Sequence, residues 1–367
     1  MATPPKRILV IGMTDNPGGI ESLLLNVMEQ FDPCELQFDF LVNTDEVAYE
    51  NRLLARGSRI FHVKARRDNR LQFYRDLNAI YTAHANEFAA VWENANSLAN
   101  IDYLIYAKRH GVPCRIMHCH NSHNSEGFIR GMLHRVNLKR VRSAATHFWS
   151  VSDEASKWFF GSDFKTLPNY RVVDNAVDVA RFSFNSEARK RVREELKIPS
   201  GATVIGNVGR LHPQKNQAFL LDVVAKVEDL IGPVHVVLVG KGELERELRT
   251  HAEKLGLSNR VHFVGAVDDA KPYYDVMDLF LFPSLYEGLS IALLEAQASC
   301  LPCVVSTGVL KDSIVSSNAV AVSLEADARE WASEVARMLK VGRVQQSEIK
   351  DTRFDMVRFT NLFEGIL

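Results

Sequence analysis

The sequence predicts an α/β protein built from two doubly wound domains with parallel sheets. Short β-branched runs alternate with longer amphipathic stretches over most of the 367 residues. The strand candidates are apolar throughout rather than alternating, as strands covered by helices on both faces are. The alternation falls into two series of about 170 and about 165 residues, which hold too many strands for one sheet. A composition of 46% hydrophobic and 24% charged residues is that of a globular protein and excludes a mostly disordered chain. The net charge of −1 excludes the overall basic field of a dedicated nucleic-acid binder, so no nucleic-acid partner is expected.

In the first half the strand candidates are residues 8–12, 36–42, 59–63, 89–92, 115–118 and 147–151, with a helix over 19–30 that places Leu23, Leu24 and Val27 on one face. In the second half the strands are 203–208, 234–239, 261–264, 279–282 and 303–306. The helices there are 217–230, 243–255, 270–276, 290–298 and 328–340. A Pro/Asn/Asp-rich break over 167–178 separates domains 1–172 and 173–350. The tail 351–367 has a helical apolar pattern suited to packing back on the first domain. The five cysteines are scattered and odd in number, which reads as reduced, buried thiols. Residues 8–12 are too short for a signal segment, and no window approaches a membrane span, so a cytoplasmic protein is expected.

The chemistry-bearing residues follow strands. Asp15-Asn16-Pro17-Gly18-Gly19-Ile20-Glu21 comes after the first strand and opens a helix. Its glycines let backbone approach a ligand closely, and free N–H groups in a first helical turn favour an anion. Its spacing from Gly12 is not G-x-G-x-x-G, which weighs against a nicotinamide or flavin cofactor. Val208-Gly209-Arg210-Leu211-His212-Pro213-Gln214-Lys215-Asn216 repeats the arrangement with two cations. Arg210 supplies a planar fork and Lys215 a point charge, a pair suited to a diphosphate; read alone, the stretch is equally a solvated basic loop. Glu287 lies in a glycine-containing turn after strand 279–282, and Glu295 lies eight residues later, about two helical turns on. Two carboxylates so placed can address two parts of one ligand, such as sugar hydroxyls and a ribose diol. Glu295 is flanked by Leu293, Leu294, Ala296 and Ala298, so its burial requires a partner; a structural salt bridge is the other reading.

Taken in order, Gly18-Gly19-Ile20-Glu21, Gly209-Arg210 with Lys215-Asn216, Val239-Gly240-Lys241-Gly242, Val261-His262-Phe263-Val264-Gly265 and the E-x7-E pair Glu287 and Glu295 resemble the retaining GT-B glycosyltransferases of family four. The pattern is nearest to bacterial enzymes of exopolysaccharide, capsule and lipopolysaccharide synthesis. The resemblance implies the GT-B fold, two Rossmann-like domains facing across a cleft, with the acceptor on the N-terminal domain and the nucleotide sugar on the C-terminal one. It implies no resident cofactor, a UDP- or GDP-linked sugar as co-substrate and a glycan or lipid-linked acceptor. Arg210 and Lys215 would hold the donor diphosphate, and Glu295 the ribose hydroxyls. Glu287, with the backbone of Gly288, Leu289 and Ser290, would face the transferred sugar and the β-phosphate. Gly18 and Gly19 would reach the diphosphate, and the backbone around Gly240–Gly242 and Val264–Gly265 would line the base pocket. Met13, Asn94 and Leu289 are expected near the substrate.

The family's histidine near the reacting centre falls in Met117-His118-Cys119-His120-Asn121-Ser122-His123-Asn124, with His120 the first candidate and His118 the second. H-x-H at a strand end puts both side chains on one face, with no carboxylate or cysteine set of ligand spacing beyond Cys119, so no metal is expected. No Asp-x-Asp tripeptide occurs in the chain, which argues against the metal-dependent GT-A type. Two stretches depart from the family. Asn175-Ala176-Val177-Asp178 lacks the usual glycine, so Asn175 or Ala176 is expected to take its backbone shape. Residues 306–312 also differ from the common pattern.

Between residues 106 and 142, Lys108, Arg109, Arg115, Arg130, Arg135, Lys139, Arg140 and Arg142 stand against Glu126 alone. Within this stretch Phe128, Ile129, Met132, Leu133 and Val136 recur at helical spacing. Residues 126–143 read either as a basic amphipathic helix lying on an anionic bilayer or as an ordinary surface helix packed by its apolar stripe. A lipid-linked acceptor, implied by the resemblance, favours the first and a peripheral position at the inner face of the cytoplasmic membrane. Two other functions use the same residues: a nucleotide-sugar 2-epimerase on the same fold, and a donor-binding subunit without turnover. The complete Arg210, Lys215, Glu287 and Glu295 set speaks against the second.

Overall fold

A computed structural model describes residues 4–16, 18–121 and 127–365. Pro17, Ser122, His123, Asn124 and Glu126, singled out above, lie outside the described residues. The chain divides into unit 1, residues 1–175 with 356–367, and unit 2, residues 176–355.

Unit 1 is a seven-stranded sheet of β1 (Lys6–Ile11), β2 (Leu36–Val42), β3 (Ile60–His62), β4 (Phe88–Ala95), β5 (Cys114–Cys119), β6 (His147–Ser150) and β7 (Tyr170–Val172), in the order β3-β2-β1-β4-β5-β6-β7. Every pairing is parallel. Its helices are α1 (Gly19–Glu29), α2 (Glu50–Ala55), α3 (Arg70–His84), α4 (Asp102–Arg109), α5 (Phe128–Ala144) and α6 (Asp153–Phe160). Unit 2 opens on α7 (Ser186–Glu195). It then forms a parallel sheet of six strands, β8 (Thr203–Val208), β9 (Val234–Val239), β10 (Val261–Gly265), β11 (Leu279–Phe282), β12 (Cys303–Ser306) and β13 (Ala319–Val322), in the order β10-β9-β8-β11-β12-β13. Between them run α8 (Gln217–Ile231), α9 (Glu245–Lys254), α10 (Lys271–Val276) and α11 (Ile291–Ala298), and α12 (Ala328–Val341) follows.

The final helix, α13 (Met356–Glu364), belongs to unit 1. There Phe363 packs against Trp92 and Trp149 with ring centroids 5.0 and 5.3 Å apart. In each sheet the order reverses beside the first strand, between β1 and β4 and between β8 and β11. Loops at such a point leave on opposite faces and open a crevice at the carboxyl ends of the strands.

The apolar runs become buried strands because helices cover both faces: Ile8, Leu9 and Val10 of β1 and Val236, Val237 and Leu238 of β9 are all buried. Two strands fall outside the expected set. Tyr170–Val172, inside the expected break, pairs with β6, and Ala319–Val322 pairs with β12. Both are edge strands, mostly half-buried or exposed; Tyr170–Val172 is interrupted by Arg171, whereas Ala319–Val322 is apolar throughout. Neither Asn175 nor Ala176 takes a left-handed backbone. Ala176 is buried and Val177 donates to Phe354 O at 2.9 Å, so extended pairing replaces the turn. All five cysteines are free, but only Cys114, Cys119 and Cys303 are buried; Cys34 is exposed and Cys300 half-buried. No helix among the described residues is long and apolar enough to cross a membrane.

Candidate active site

In unit 2 the loops after β8, β9 and β11 are stitched together at the carboxyl ends of their strands. Leu285 N donates to Gln214 O at 2.8 Å, Gln214 Nε2 to Tyr286 O at 2.9 Å, and Asn216 Nδ2 to Pro283 O at 3.3 Å. Leu211 N donates to Lys241 O at 3.2 Å, and Gly240 N to Gly265 O at 2.8 Å. Gly240 and Gly242 permit this approach. A Cβ on either would lie 2.1 Å from Gly209 O or 2.2 Å from Leu211 O, closer than any side chain tolerates. The Gly240 and Val264–Gly265 stretches are therefore neighbours of the Arg210 loop.

This scaffold sets Lys215 Nζ 2.6 Å from Glu287 Oε1 and over the face of Phe282, 5.1 Å from its ring centre. Both side chains of the pair are largely enclosed, which strengthens the attraction relative to a solvated one. Glu287 N donates to Gly308 O at 2.9 Å, anchoring the turn that carries the carboxylate. Arg210 is exposed and meets Glu243 Oε2 at 3.2 Å, while His212 Nε2 stands 3.5 Å from Oε1 of the same carboxylate. Ser290 caps α11 by accepting from Leu293 N. Gly288 and Leu289 lie between the capped helix and Glu287.

Glu295 sits inside α11, buried, and its Oε2 accepts from the Tyr274 hydroxyl at 2.8 Å. Burial pushes its carboxyl up to about 7, against the opposing pull of the Tyr274 hydrogen bond and the Arg181 charge. The partner demanded by its apolar flanks is thus a phenol rather than a salt bridge. Tyr274, on α10, carries no sequence signal linking it to Glu295.

In unit 1, His118 and His120 are ring neighbours at 4.1 Å, as H-x-H at a strand end requires, but they meet different surroundings. His118 is buried and stacks on Trp92 at 6.0 Å with Trp149 edge-on at 5.8 Å. His120 Nε2 lies 2.9 Å from Asn94 Oδ1. Because Asn94 Nδ2 donates to Ile11 O at 3.3 Å, its oxygen faces the histidine, so His120 Nε2 carries the hydrogen and Nδ1 keeps its lone pair. Burial pushes His120 down to about 3, which keeps the ring neutral at ordinary pH. In the α1 turn the Thr14 hydroxyl donates to Glu21 Oε1 at 2.6 Å. A Cβ on Gly18 would lie 2.8 Å from Glu21 Oε2, so this glycine makes room for the buried carboxylate. Arg210, Lys215, Gly240, Val264, Glu287 and Glu295 thus belong to unit 2, and Gly18, Gly19, His118 and His120 to unit 1.

The family described as "Glycosyl transferases group 1" matches residues 202–341. "Putative glycosyltransferase EpsF" of Bacillus subtilis (strain 168) is 32% identical over 359 residues, 96% of this chain and 92% of that protein. The chain belongs to the group 1 glycosyltransferases. A second relative of this glycosyltransferase is the UDP-Gal:alpha-D-GlcNAc-diphosphoundecaprenol alpha-1,3-galactosyltransferase of Escherichia coli, 26% identical over 243 residues, 63% of this chain and 61% of that one. Among solved structures, Anabaena HepE in complex with UDP and glucose superposes with a TM-score of 0.74 at 19% identity, covering 98% of both chains. The fold of the glycosyltransferase is GT-B. The family match contains every unit 2 candidate and none of the unit 1 candidates. Two neighbours of the candidates carried no signal in the sequence of this glycosyltransferase, Tyr274 behind Glu295 and Glu243 beside Arg210; Asn94 was expected near the substrate, but not its pairing with His120.

Proposed function

We propose that the enzyme moves a sugar from a UDP- or GDP-linked donor to a glycan or lipid-linked acceptor, with retention, in cell-surface polysaccharide synthesis. The observation that carries the reading is the Lys215–Glu287 pair at 2.6 Å, held by stitched loops at the carboxyl ends of β8 and β11. As the bond between sugar and phosphate stretches, negative charge builds on the leaving diphosphate. Lys215 and Arg210 are the cations assigned to meet it, and fixed charges aimed at developing charge lower the barrier. Glu287 holds Lys215 in place and is assigned to the transferred sugar together with the backbone of Gly288, Leu289 and Ser290. Glu295 has one oxygen taken by Tyr274 and is assigned the ribose diol. The Gly240 and Val264 stretches are assigned to the base. Unit 1 is assigned the acceptor, with His120, neutral and held by Asn94, and the Gly18–Gly19 turn as candidate contacts to substrate. His120 is preferred to His118 because the latter is enclosed by tryptophans. The galactosyltransferase relative, named for a diphosphoundecaprenol-linked sugar, supports a lipid-linked acceptor, and the UDP in HepE supports the nucleotide diphosphate.

Thermal unfolding with and without nucleotides tests the donor assignment. A ligand at a hundred times its dissociation constant stabilises by about 2.7 kcal/mol, so UDP or GDP is expected to raise Tm by several degrees in the parent chain and far less in Arg210→Ala. No shift with either nucleotide overturns the assignment. Glu243 stands beside Arg210 in the absence of donor, and an exposed pair of this kind is weak and screened by solvent. Glu243→Gln is therefore expected to leave Tm nearly unchanged while tightening nucleotide binding by about two- to five-fold. Calorimetric titration showing weaker binding would remove Arg210 from the diphosphate.

A further inference from the structure

We infer that Glu21 is a positioning residue for sugar transfer: its carboxylate is the internal anion around which the Gly18–Gly19 turn is folded. The inference rests on the assignment of that turn to substrate. Gly18 is the N-cap of α1 and has no side chain to cap it, while Glu21 stands three residues on in the first turn. That is the spacing of a capping box, in which an N3 carboxylate reaches back to the N-cap N–H. Here the backbone N–H groups of Gly18, Glu21 and Thr14 face the Glu21 carboxylate, and the Thr14 hydroxyl donates to its Oε1 at 2.6 Å. The anion that the sequence places at this helix start is therefore supplied from within. Glu21 is 7% exposed, and these partners are neutral donors. Burial pushes its carboxyl above the usual glutamate value, against the pull of the hydrogen bonds.

Capping alone does not explain the burial, since an exposed glutamate at the same position caps a helix equally well. What burial adds is contact with two neighbouring loops. Thr14 follows β1, and its carbonyl accepts at 2.8 Å from Ala48 N, in the loop after the adjacent strand β2. Ser22 Oγ, next to Glu21, lies 3.2 Å from the Tyr49 hydroxyl in that same loop. Tyr49 holds φ at 60°, a left-handed backbone that a bulky side chain adopts only where its surroundings dictate it. Such positions gather at functional sites. A Cβ on Gly18 would lie 2.8 Å from Glu21 Oε2, so turn and carboxylate leave no space for a larger residue. Thr14, Glu21 and Tyr49 thus hold the glycine turn in one shape at the carboxyl end of β1, where the strand order reverses. Without the carboxylate its enclosed donors lose their acceptor, and the turn has to open to water. A shift of about 1 Å in a group that orients substrate costs about 10²-fold in rate.

Hydrogen–deuterium exchange and donor turnover of the full chain test it together. Glu21→Ala is expected to speed amide exchange over residues 18–22 by about tenfold or more, with β4 and the second half of α1 exchanging as in the parent. Release of UDP or GDP from UDP-glucose, UDP-galactose and GDP-mannose gives kcat and KM. In Glu21→Ala kcat is expected to fall by about 10²-fold. Donor KM is expected to change by less than about three-fold, because Arg210 and Lys215 stand in unit 2. A residue that only stabilised α1 would lower Tm and leave the kcat of the folded enzyme as it was. Thr14→Val removes the hydroxyl alone; it is expected to lose about tenfold in kcat and serves if Glu21→Ala does not fold. Glu21→Gln keeps an oxygen for the Gly18 N–H and sets its amide against the Thr14 hydroxyl, which can turn to Asn16 O at 3.4 Å. It is expected to recover most of the rate. The inference is overturned if the turn exchanges as in the parent, or if a loosened turn leaves kcat within about three-fold of it. A parent chain whose Tm ignores both UDP and GDP overturns the donor assignment itself and, with it, the inference.

Discussion

Lys215→Ala is expected to lower kcat/KM by about 10²- to 10³-fold, the range found when one preorganised charge or donor is removed from a developing negative charge. Two effects contribute and they separate experimentally. The first is loss of the ammonium assigned to the leaving diphosphate. The second is exposure of a fault in the free enzyme, since Glu287 is largely enclosed and Lys215 Nζ stands 2.6 Å from it. Stranding one member of an enclosed pair destabilises more than the pair itself contributes. Lys215→Ala is thus expected to lower Tm as well as rate. Adding Glu287→Gln is expected to recover Tm without recovering turnover. Lys215→Arg keeps the charge but replaces a compact ammonium with a planar fork, and is expected to restore only part of the rate. Steady-state kinetics together with thermal unfolding decide the matter. Lys215→Ala retaining turnover within about three-fold of the parent would remove the lysine from the leaving group.

Glu295→Gln is expected to weaken donor binding by at least tenfold near pH 8 and to flatten its pH dependence. The carboxyl of Glu295 is pushed up to about 7 by burial, from an ordinary glutamate value near 4.3. A ribose diol donates hydrogen bonds, so it favours the ionised form and binds better as pH rises through about 7. Between pH 6 and pH 8 the ionised fraction rises about tenfold, and donor affinity is expected to follow. The diphosphate titrates in the same region, so the comparison with Glu295→Gln, which keeps the ligand's own titration, isolates the enzyme's share. Stability runs in the opposite direction. A native carboxyl that binds its proton more tightly than the unfolded one contributes stability at low pH, which is lost as pH rises from about 4 to about 7. That slope is expected to vanish in Glu295→Gln. Isothermal titration at the two pH values reads the binding effect, and identical affinities at pH 6 and pH 8 in the parent chain would end the assignment to the ribose. Tyr274→Phe is a companion variant, since it frees the oxygen that the phenol now engages and raises the carboxyl further.

The strands legible in sequence are those whose apolar runs need two covered faces. Leu36–Val42, Thr203–Val208, Val234–Val239, Leu279–Phe282 and Cys303–Ser306 match the expected bounds. Several helices carried weaker signals. On α3 only Phe73, Leu77 and Tyr81 are buried, one residue per turn, a stripe too narrow to stand out among polar neighbours. The unit 2 candidates were legible because loop chemistry follows strand ends in linear order. Asn94 and His120, by contrast, meet across adjacent strands, and Tyr274 reaches Glu295 from another helix. Such pairs have no fixed spacing along the chain.

By itself the sequence determined which segments are strands of a covered parallel sheet, and the order of the glycines, cations and carboxylates that carry the group 1 pattern. These depend on local composition and on short spacings, which the chain encodes directly. Only the tertiary structure decided which side of α5 faces water. Helical periodicity alone allowed the apolar stripe to face inward, but His134 and Asn137 fasten the opposite side to Leu98 and Trp158. The structure likewise decided that Glu295 is held by a phenol and that His120 is a neutral ring with its hydrogen on Nε2. Each depends on what lies within 3 Å or so in space, where hydrogen bonding and the local dielectric act regardless of distance along the chain.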